Sequence, residues 1–317
     1  MGEKSKKIGE IGENIVGNFF SLLGWEGALS GQVLPCKKPS KHAREGSKSG
    51  KRESHGIDYL YCYRSPLEGS TAESAVVSVK HSGNPYEENP KPTFKAHAKD
   101  LAETLECYKH SELKKQQNEL LGRTTKSRDS GVLFWLSSSD DTYDDVVSKV
   151  ANSRLEQEWN FESFHVVDNQ RIKFIYDTIR FLRQEYDAAR LHYYYPETSL
   201  SYVDKSIPRF GKVCPLEFLT SPLIPLIIRA QSEHDQDIFC LSSIECFAQD
   251  SLRRLIQAAR EYTQDMSCKL LFLFPNYVES NHGDAVKRAA TGFESDIHSR
   301  IKVASYRPDY RSLNNGQ

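Results

Sequence analysis

GIDYLYCYRSPLEGSTAESAVVSVKHS, residues 56–82, decides how this chain folds. Residues 57–63 and 74–81 are two runs rich in β-branched and aromatic side chains, joined by the turn-rich RSPLEGSTAE, and they are expected to pair as an antiparallel hairpin. In the second run Ser78 and Lys80 share a face, while Val77 and Val79 point the other way into apolar packing. A lysine in a buried strand is costly unless its ammonium reaches water, an anion or a carboxylate. Asp58 opens the partner strand just after His55 and Gly56, where a glycine would let the chain approach another backbone closely. The hairpin is therefore expected to set Asp58 beside Lys80. That pair suits phosphodiester hydrolysis by a hard cation, although spacing alone fits an ordinary strand-end salt bridge equally well.

Upstream, residues 5–24 predict an amphipathic helix whose apolar stripe centres on Ile8, Ile15 and Phe19, with Gly24 as its stop. On that helix Glu10 falls on the far side, and Glu13 lies at the edge of the stripe, able to reach over the sheet. A basic loop follows at 36–54: Lys37, Lys38, Lys41, Arg44, Lys48, Lys51 and Arg52 face only Glu45 and Glu53. Such a run of cations beside a candidate nuclease site is expected to track a nucleic-acid backbone. Downstream, a helix over 94–112 buries Phe94, Ala98, Leu101, Leu105 and Tyr108, and GVLFWLS (131–137) reads as a buried strand. Asp100 and Glu106 flank the stripe of that helix, with Glu103 pointing away.

The succession IGEIGENIVGNFFSLLGW, HGIDYLYCY and VVSVKHS resembles the PD-(D/E)XK nuclease superfamily, in the branch of archaeal Holliday-junction resolvases and Mrr-type restriction endonucleases. The resemblance covers roughly residues 5–140 and implies an α/β fold with an αβββαβ core and a divalent metal, Mg²⁺ or Mn²⁺, held by acids. It implies that Asp58 binds the metal, that Lys80 orients the attacking water or stabilises the transition state, and that Glu13 acts on the metal through a water. Ser78 stands where the second metal-binding acid usually sits, a neutral and weak ligand in place of a charge. Some restriction enzymes of the superfamily carry Ser-x-Lys with the missing acid moved to the following helix, which makes Asp100 the candidate here. GIDYLYCYRSPL followed by SVKHS is also similar to nuclease subunits of two-component bacterial anti-phage systems, which implies double-stranded DNA as substrate and a second protein subunit as partner, with self-association a further expectation. The alternative is a DNA-binding or scaffolding subunit on a decayed nuclease fold, for which Ser78 is the warning sign, and an RNA-directed nuclease also stays open.

Beyond this core, SFHVV (163–167) predicts a strand and residues 171–190 a helix, followed by His192 and the aromatic patch Tyr193, Tyr194 and Tyr195, expected to pack between the two halves. The proline-rich stretch 196–222 marks a boundary between a nuclease-like domain, 1–195, and a C-terminal α/β domain, 210–317, expected to serve recognition or assembly. With 42 Lys and Arg against 43 Asp and Glu, the net charge of −1 exerts no global pull on nucleic acid. The seven cysteines show no metal-type spacing, which argues against a zinc site and for reduced thiols in a cytoplasmic protein. No run approaches the roughly 20 apolar residues of a membrane helix, and no GxxxxGK[ST] loop is present to bind a nucleoside triphosphate. His55 and His81 flank the candidate site and could contact phosphate or assist proton transfer, although a plain surface or packing role is the expectation for each.

Overall fold

The computed structural model describes residues 3–44, 46, 49–139, 144–159, 161–197, 209–264 and 266–308, and it divides into two compact units, Met1–Lys173 and Phe174–Gln317. The first unit runs α1 (Glu3–Leu23), β1 (Leu29–Pro35), β2 (Ser54–Arg64), β3 (Thr71–Ser82), α2 (Lys91–Tyr108), α3 (Glu112–Leu121), β4 (Lys126–Ser137), α4 (Val146–Val150) and β5 (Ser163–Val167), with α5 (Asn169–Glu185) beginning at its end. Its sheet has the order β1-β2-β3-β4-β5. β1 to β3 are antiparallel neighbours, and β3 to β5 are parallel.

The hairpin of β2 and β3 forms with Tyr59 opposite Val77 and Arg64 opposite Ala72. Strand alternation then splits the core. Leu60, Val76, Leu133 and Trp135 pack with Phe94, Ala98, Leu101 and Leu105 of α2 on one face. On the other face Phe19 and Phe20 of α1 meet Phe134, and Trp25 stacks on Tyr61.

Two expectations need revising here. The buried stripe of α1 is Gly12, Val16, Phe19, Phe20 and Leu23, whereas Ile15 is 42% exposed. Glycine explains the rotation: a Cβ on Gly12 would lie 2.4 Å from His81 Cβ, so the helix is seated on β3 where Gly12 lacks a side chain. Conversely, nothing lies within 4 Å of where a Cβ on Gly56 would stand, so no close backbone approach requires that glycine. The strand reading of 131–137 extends back to Lys126, and the helix expected over 94–112 ends at Tyr108; Ser111, whose side chain accepts from Lys114 N, caps the separate α3.

The second unit takes α5 from Phe174 onward, then β6 (Leu191–Tyr194), β7 (Phe210–Gly211), β8 (Leu223–Ile228), β9 (Asp237–Ser243), α6 (Gln249–Tyr262), β10 (Cys268–Phe274), α7 (Glu279–Ala290), α8 (Ser295–Arg300) and β11 (Ile301–Ser305). Its sheet has the order β11-β10-β9-β8-β6-β7, parallel from β11 to β9 and antiparallel beyond. Tyr193 and Tyr194 are strand residues of this sheet, and Tyr194 packs on Phe239 inside the unit's own core. The aromatic patch expected between the halves is thus part of the second sheet, because alternating Leu191 and Tyr193 pair with β8. Among the described residues no helix is long and apolar enough to cross a membrane.

Candidate functional site

The site begins where β2 leaves β3. β2 pairs with β3 from Tyr59 onward and with β1 from Ser54 to Leu60, and among the described residues Asp58 is the one position between Ser54 and Arg64 absent from both ladders. Opposite it in β1 stands Gly31, whose φ of 59° interrupts the extended backbone there. The fork frees the Val79 N–H from strand pairing, and it donates to Asp58 Oδ2 at 2.6 Å. One carboxylate oxygen of Asp58 is thereby fixed, and the other is left for a ligand.

Glu13 of α1 is exposed and stands close enough for Asp58 to act on it. Burial, then the Asp58 charge, then that of Glu10 push its carboxyl above the ordinary value. The helix is held there by Tyr59, whose hydroxyl donates to Glu13 O at 2.8 Å. His81 anchors the same junction, with Nδ1 2.7 Å from Ile8 O and Nε2 2.7 Å from Ser138 Oγ.

Ser78 and Lys80 share the face turned toward α2, in line with Val76, while their β4 partners Leu133 and Trp135 complete that layer. Lys80 is not paired with Asp58. Its ammonium lies 3.7 Å from Asp100 Oδ2. Arg52, only 7% exposed, reaches Asp100 at 2.8 Å and Glu103 at 3.1 Å, and Arg44 stands 3.9 Å from Asp100. Burial raises the Asp100 carboxyl, but the Lys80 and Arg52 charges outweigh it and hold the group below its ordinary value. Glu103, expected to point away from the site, is 13% exposed beneath Arg52.

These groups line a cleft of about 810 Å³ that also takes in His97 and Trp159, and Glu13 and Asp58 lie outside its lining. Burial, reinforced by the Lys80 charge, pushes His97 down to about 4, so its ring is neutral at neutral pH. The structure therefore places the sequence-derived residues in two groups: Glu13 with Asp58 at the fork, and Lys80 with Asp100 in the cleft.

The basic loop is less free than its sequence suggests. Lys38 and Lys41 bind Glu106 at 2.5 and 3.2 Å, and Arg52 is a buried clamp; Lys37, Arg44 and Lys51 are exposed, and Lys48 lies outside the described residues. Arg52 as a clamp was not legible, because its partners come from a helix some 50 residues away in the chain. The cysteine spacing also hid a feature: Cys36, His42, His55 and Cys107 converge with all four ligand atoms within 4.8 Å of one another.

An αβββαβ order with a carboxylate at the fork of the central hairpin, a helix carboxylate above it and a lysine two residues along β3 defines the PD-(D/E)XK nuclease class. Residues 1–171, more than half of the chain, match the family described as the GAPS4 protein PD-(D/E)XK nuclease domain, and the chain belongs to that family. No curated protein and no solved structure matched it. Nucleases of this superfamily generally use divalent metals.

Proposed function

We propose that the chain is a Mg²⁺- or Mn²⁺-dependent DNA endonuclease acting in the cytoplasm as part of a bacterial anti-phage system, together with a second protein subunit. The observation that carries this reading is the fork at Asp58, where one carboxylate oxygen is fixed by the Val79 amide and a second carboxylate, Glu13, faces it. A carboxylate beside a second one whose proton affinity it raises is a donor set for a hard cation, since a divalent ion offsets their repulsion. Asp58 and Glu13 are the residues that would hold such an ion, while the Ser78 hydroxyl lies with Lys80 on the face of β3 turned toward α2. When bound, the ion supplies an activated water and neutralises charge on the phosphate.

The chain's own cations supply the rest. Lys80 presents a positive charge at the end of β3, and Asp100, committed to Arg52 and Lys80, serves to position that lysine. The exposed Lys37, Arg44 and Lys51, with Lys48, would contact the DNA backbone. The defence setting and the partner subunit are supported by the family membership, and the second unit is assigned recognition, self-association or assembly.

A decayed, DNA-binding reading is favoured by Ser78, which stands where an acid is expected, and by Asp100, which is already paired with Arg52, Lys80 and Arg44. Incubating the purified chain with linear and circular double-stranded DNA and with RNA, in Mg²⁺, Mn²⁺ or EDTA, separates the two. The enzyme reading expects metal-dependent cutting that Asp58→Ala and Lys80→Ala abolish while DNA binding persists. Binding that survives both substitutions, with no cutting in any metal even beside the product of the neighbouring gene, would establish the decayed reading.

A further inference from the structure

The four side chains that converge between the loop and α2 come from separate elements: Cys36 just past β1, His42 in the loop, His55 in β2 and Cys107 in the last turn of α2. His42 Nδ1 lies 3.4 Å from Cys36 Sγ, 3.6 Å from Cys107 Sγ and 3.3 Å from His55 Nε2, and Cys107 Sγ lies 3.5 Å from His55 Nε2. Four donors around one Zn²⁺, with bonds of about 2.3 Å to sulfur and about 2.0 Å to nitrogen, stand roughly 3.4–3.8 Å apart along the edges of a tetrahedron. The four observed separations fall on or within about 0.1 Å of that range, and the Cys36 sulfur lies within 4.8 Å of both Cys107 Sγ and His55 Nε2.

The outward nitrogens decide which tautomers face inward. His42 Nε2 lies 2.8 Å from Glu106 Oε2, and an ionised carboxylate only accepts, so that nitrogen carries the hydrogen. The Thr104 hydroxyl donates to Asp100 O at 2.8 Å, so its oxygen, 3.3 Å from His55 Nδ1, accepts from that ring. With those hydrogens outward, His42 Nδ1 and His55 Nε2 turn toward each other at 3.3 Å, beside two sulfurs. The Lys37 amide donates to Cys107 Sγ at 3.3 Å, as it would to a thiolate. A cation between them would take both inward nitrogens, and each outward N–H already has the acceptor that metal-bound imidazoles use to fix their orientation. His42, His55 and Cys107 are buried and Cys36 is half-buried, and four protein donors fill a tetrahedral shell, which marks a structural site.

We propose that Cys36, His42, His55 and Cys107 bind one structural Zn²⁺ that staples the basic loop and the β1-β2 hairpin to the end of α2. The staple fixes the root of the loop that carries Arg52 and hence the ion pairs that position Lys80. It is separate in residues and in donor chemistry from the Asp58 and Glu13 pair, since sulfur and imidazole select zinc where carboxylates select magnesium.

The test is the metal content of the full chain, expressed in zinc-supplemented medium, purified without chelator and desalted, measured by inductively coupled plasma mass spectrometry. About one zinc per chain is expected, falling at least about tenfold in Cys107→Ser and Cys36→Ser and unchanged in Cys62→Ser and Asp58→Asn. Cobalt exchanged into the wild type should give thiolate charge-transfer and tetrahedral ligand-field bands, a readout that does not depend on the serine variants folding. A folded wild type, judged by circular dichroism, with no stoichiometric zinc and no such cobalt bands would overturn the proposal. So would zinc that is retained in both cysteine variants or lost in Asp58→Asn.

Discussion

Replacing Gly12 by alanine tests how α1 is seated, and with it how Glu13 is delivered. In an open helix, glycine to alanine stabilises by about 0.5–1 kcal/mol. Gly9, with nothing within 4 Å of its absent Cβ, should show that gain. At Gly12 the new methyl would meet His81 Cβ at 2.4 Å and Cγ at 2.9 Å. Cβ is tied to the strand backbone and cannot swing aside, so α1 and β3 must part by roughly 1 Å to restore ordinary contact. Overpacking of that kind costs about 1–3 kcal/mol, which leaves a net loss of up to about 2.5 kcal/mol and puts Gly12→Ala about 1–3 kcal/mol below Gly9→Ala. Gly17→Ala should fall between, since its methyl meets the movable Tyr59 hydroxyl at 2.7 Å. The three tryptophans, Trp25, Trp135 and Trp159, all lie in the first unit, so urea denaturation followed by tryptophan fluorescence reports that unit alone. A Gly12→Ala chain as stable as the Gly9→Ala chain would refute the seating and the placement of Glu13 that depends on it.

Other consequences follow from the same contacts. Arg52→Ala strips a buried clamp from Asp100 and Glu103 and should cost about 2–4 kcal/mol in the same assay, while the exposed Lys51→Ala should cost under about 0.5 kcal/mol. Burial holds His97 and His165 down at about 4 against an ordinary 6.5, aided by the Lys80 charge at the first and the Arg128 charge at the second. Between those values the unfolded chain takes up protons that the folded chain refuses, so stability should fall as pH falls from 6.5 to about 4, and His165→Asn should flatten the decline. A urea midpoint that does not drop across that window would contradict both assignments. Tyr59→Phe removes the hydroxyl that holds Glu13 O, for an expected loss of about 1 kcal/mol and slower cutting with folding intact.

What the sequence made legible were the features written in local periodicity. The β2-β3 hairpin followed from alternation and a turn-rich joint, and the fold class followed from the hairpin with the helices around it. β1 was not singled out as a strand because LSGQVLP contains a glycine at positive φ and ends in proline, a short edge strand without alternation. Of the apolar stripe of α1, Phe19 is buried but Ile15 is not, because hydrophobicity marks Ile15 whereas contact is decided by the missing side chain of Gly12.

Asp58, Glu13 and Lys80 were nameable from residue type and order, but the pairing of Lys80 with Asp100 was not, because it depends on how α2 lies across β3. The Cys and His cluster was invisible for the same reason: its members are 6, 13 and 52 residues apart in the chain and meet only when loop, strand and helix close on one another. A spacing rule written for compact zinc motifs does not detect such a site.

The most direct test of the site is Mn²⁺ binding to the zinc-replete chain, followed by electron paramagnetic resonance in the wild type and in Glu13→Gln, Asp58→Asn and Asp100→Asn. The account predicts a Mn²⁺ site in the wild type that Asp58→Asn abolishes, Glu13→Gln weakens at least about tenfold, and Asp100→Asn leaves in place. Mn²⁺ bound equally well by Asp58→Asn, or lost only in Asp100→Asn, would contradict the placement of the cation at the fork between β2 and β3.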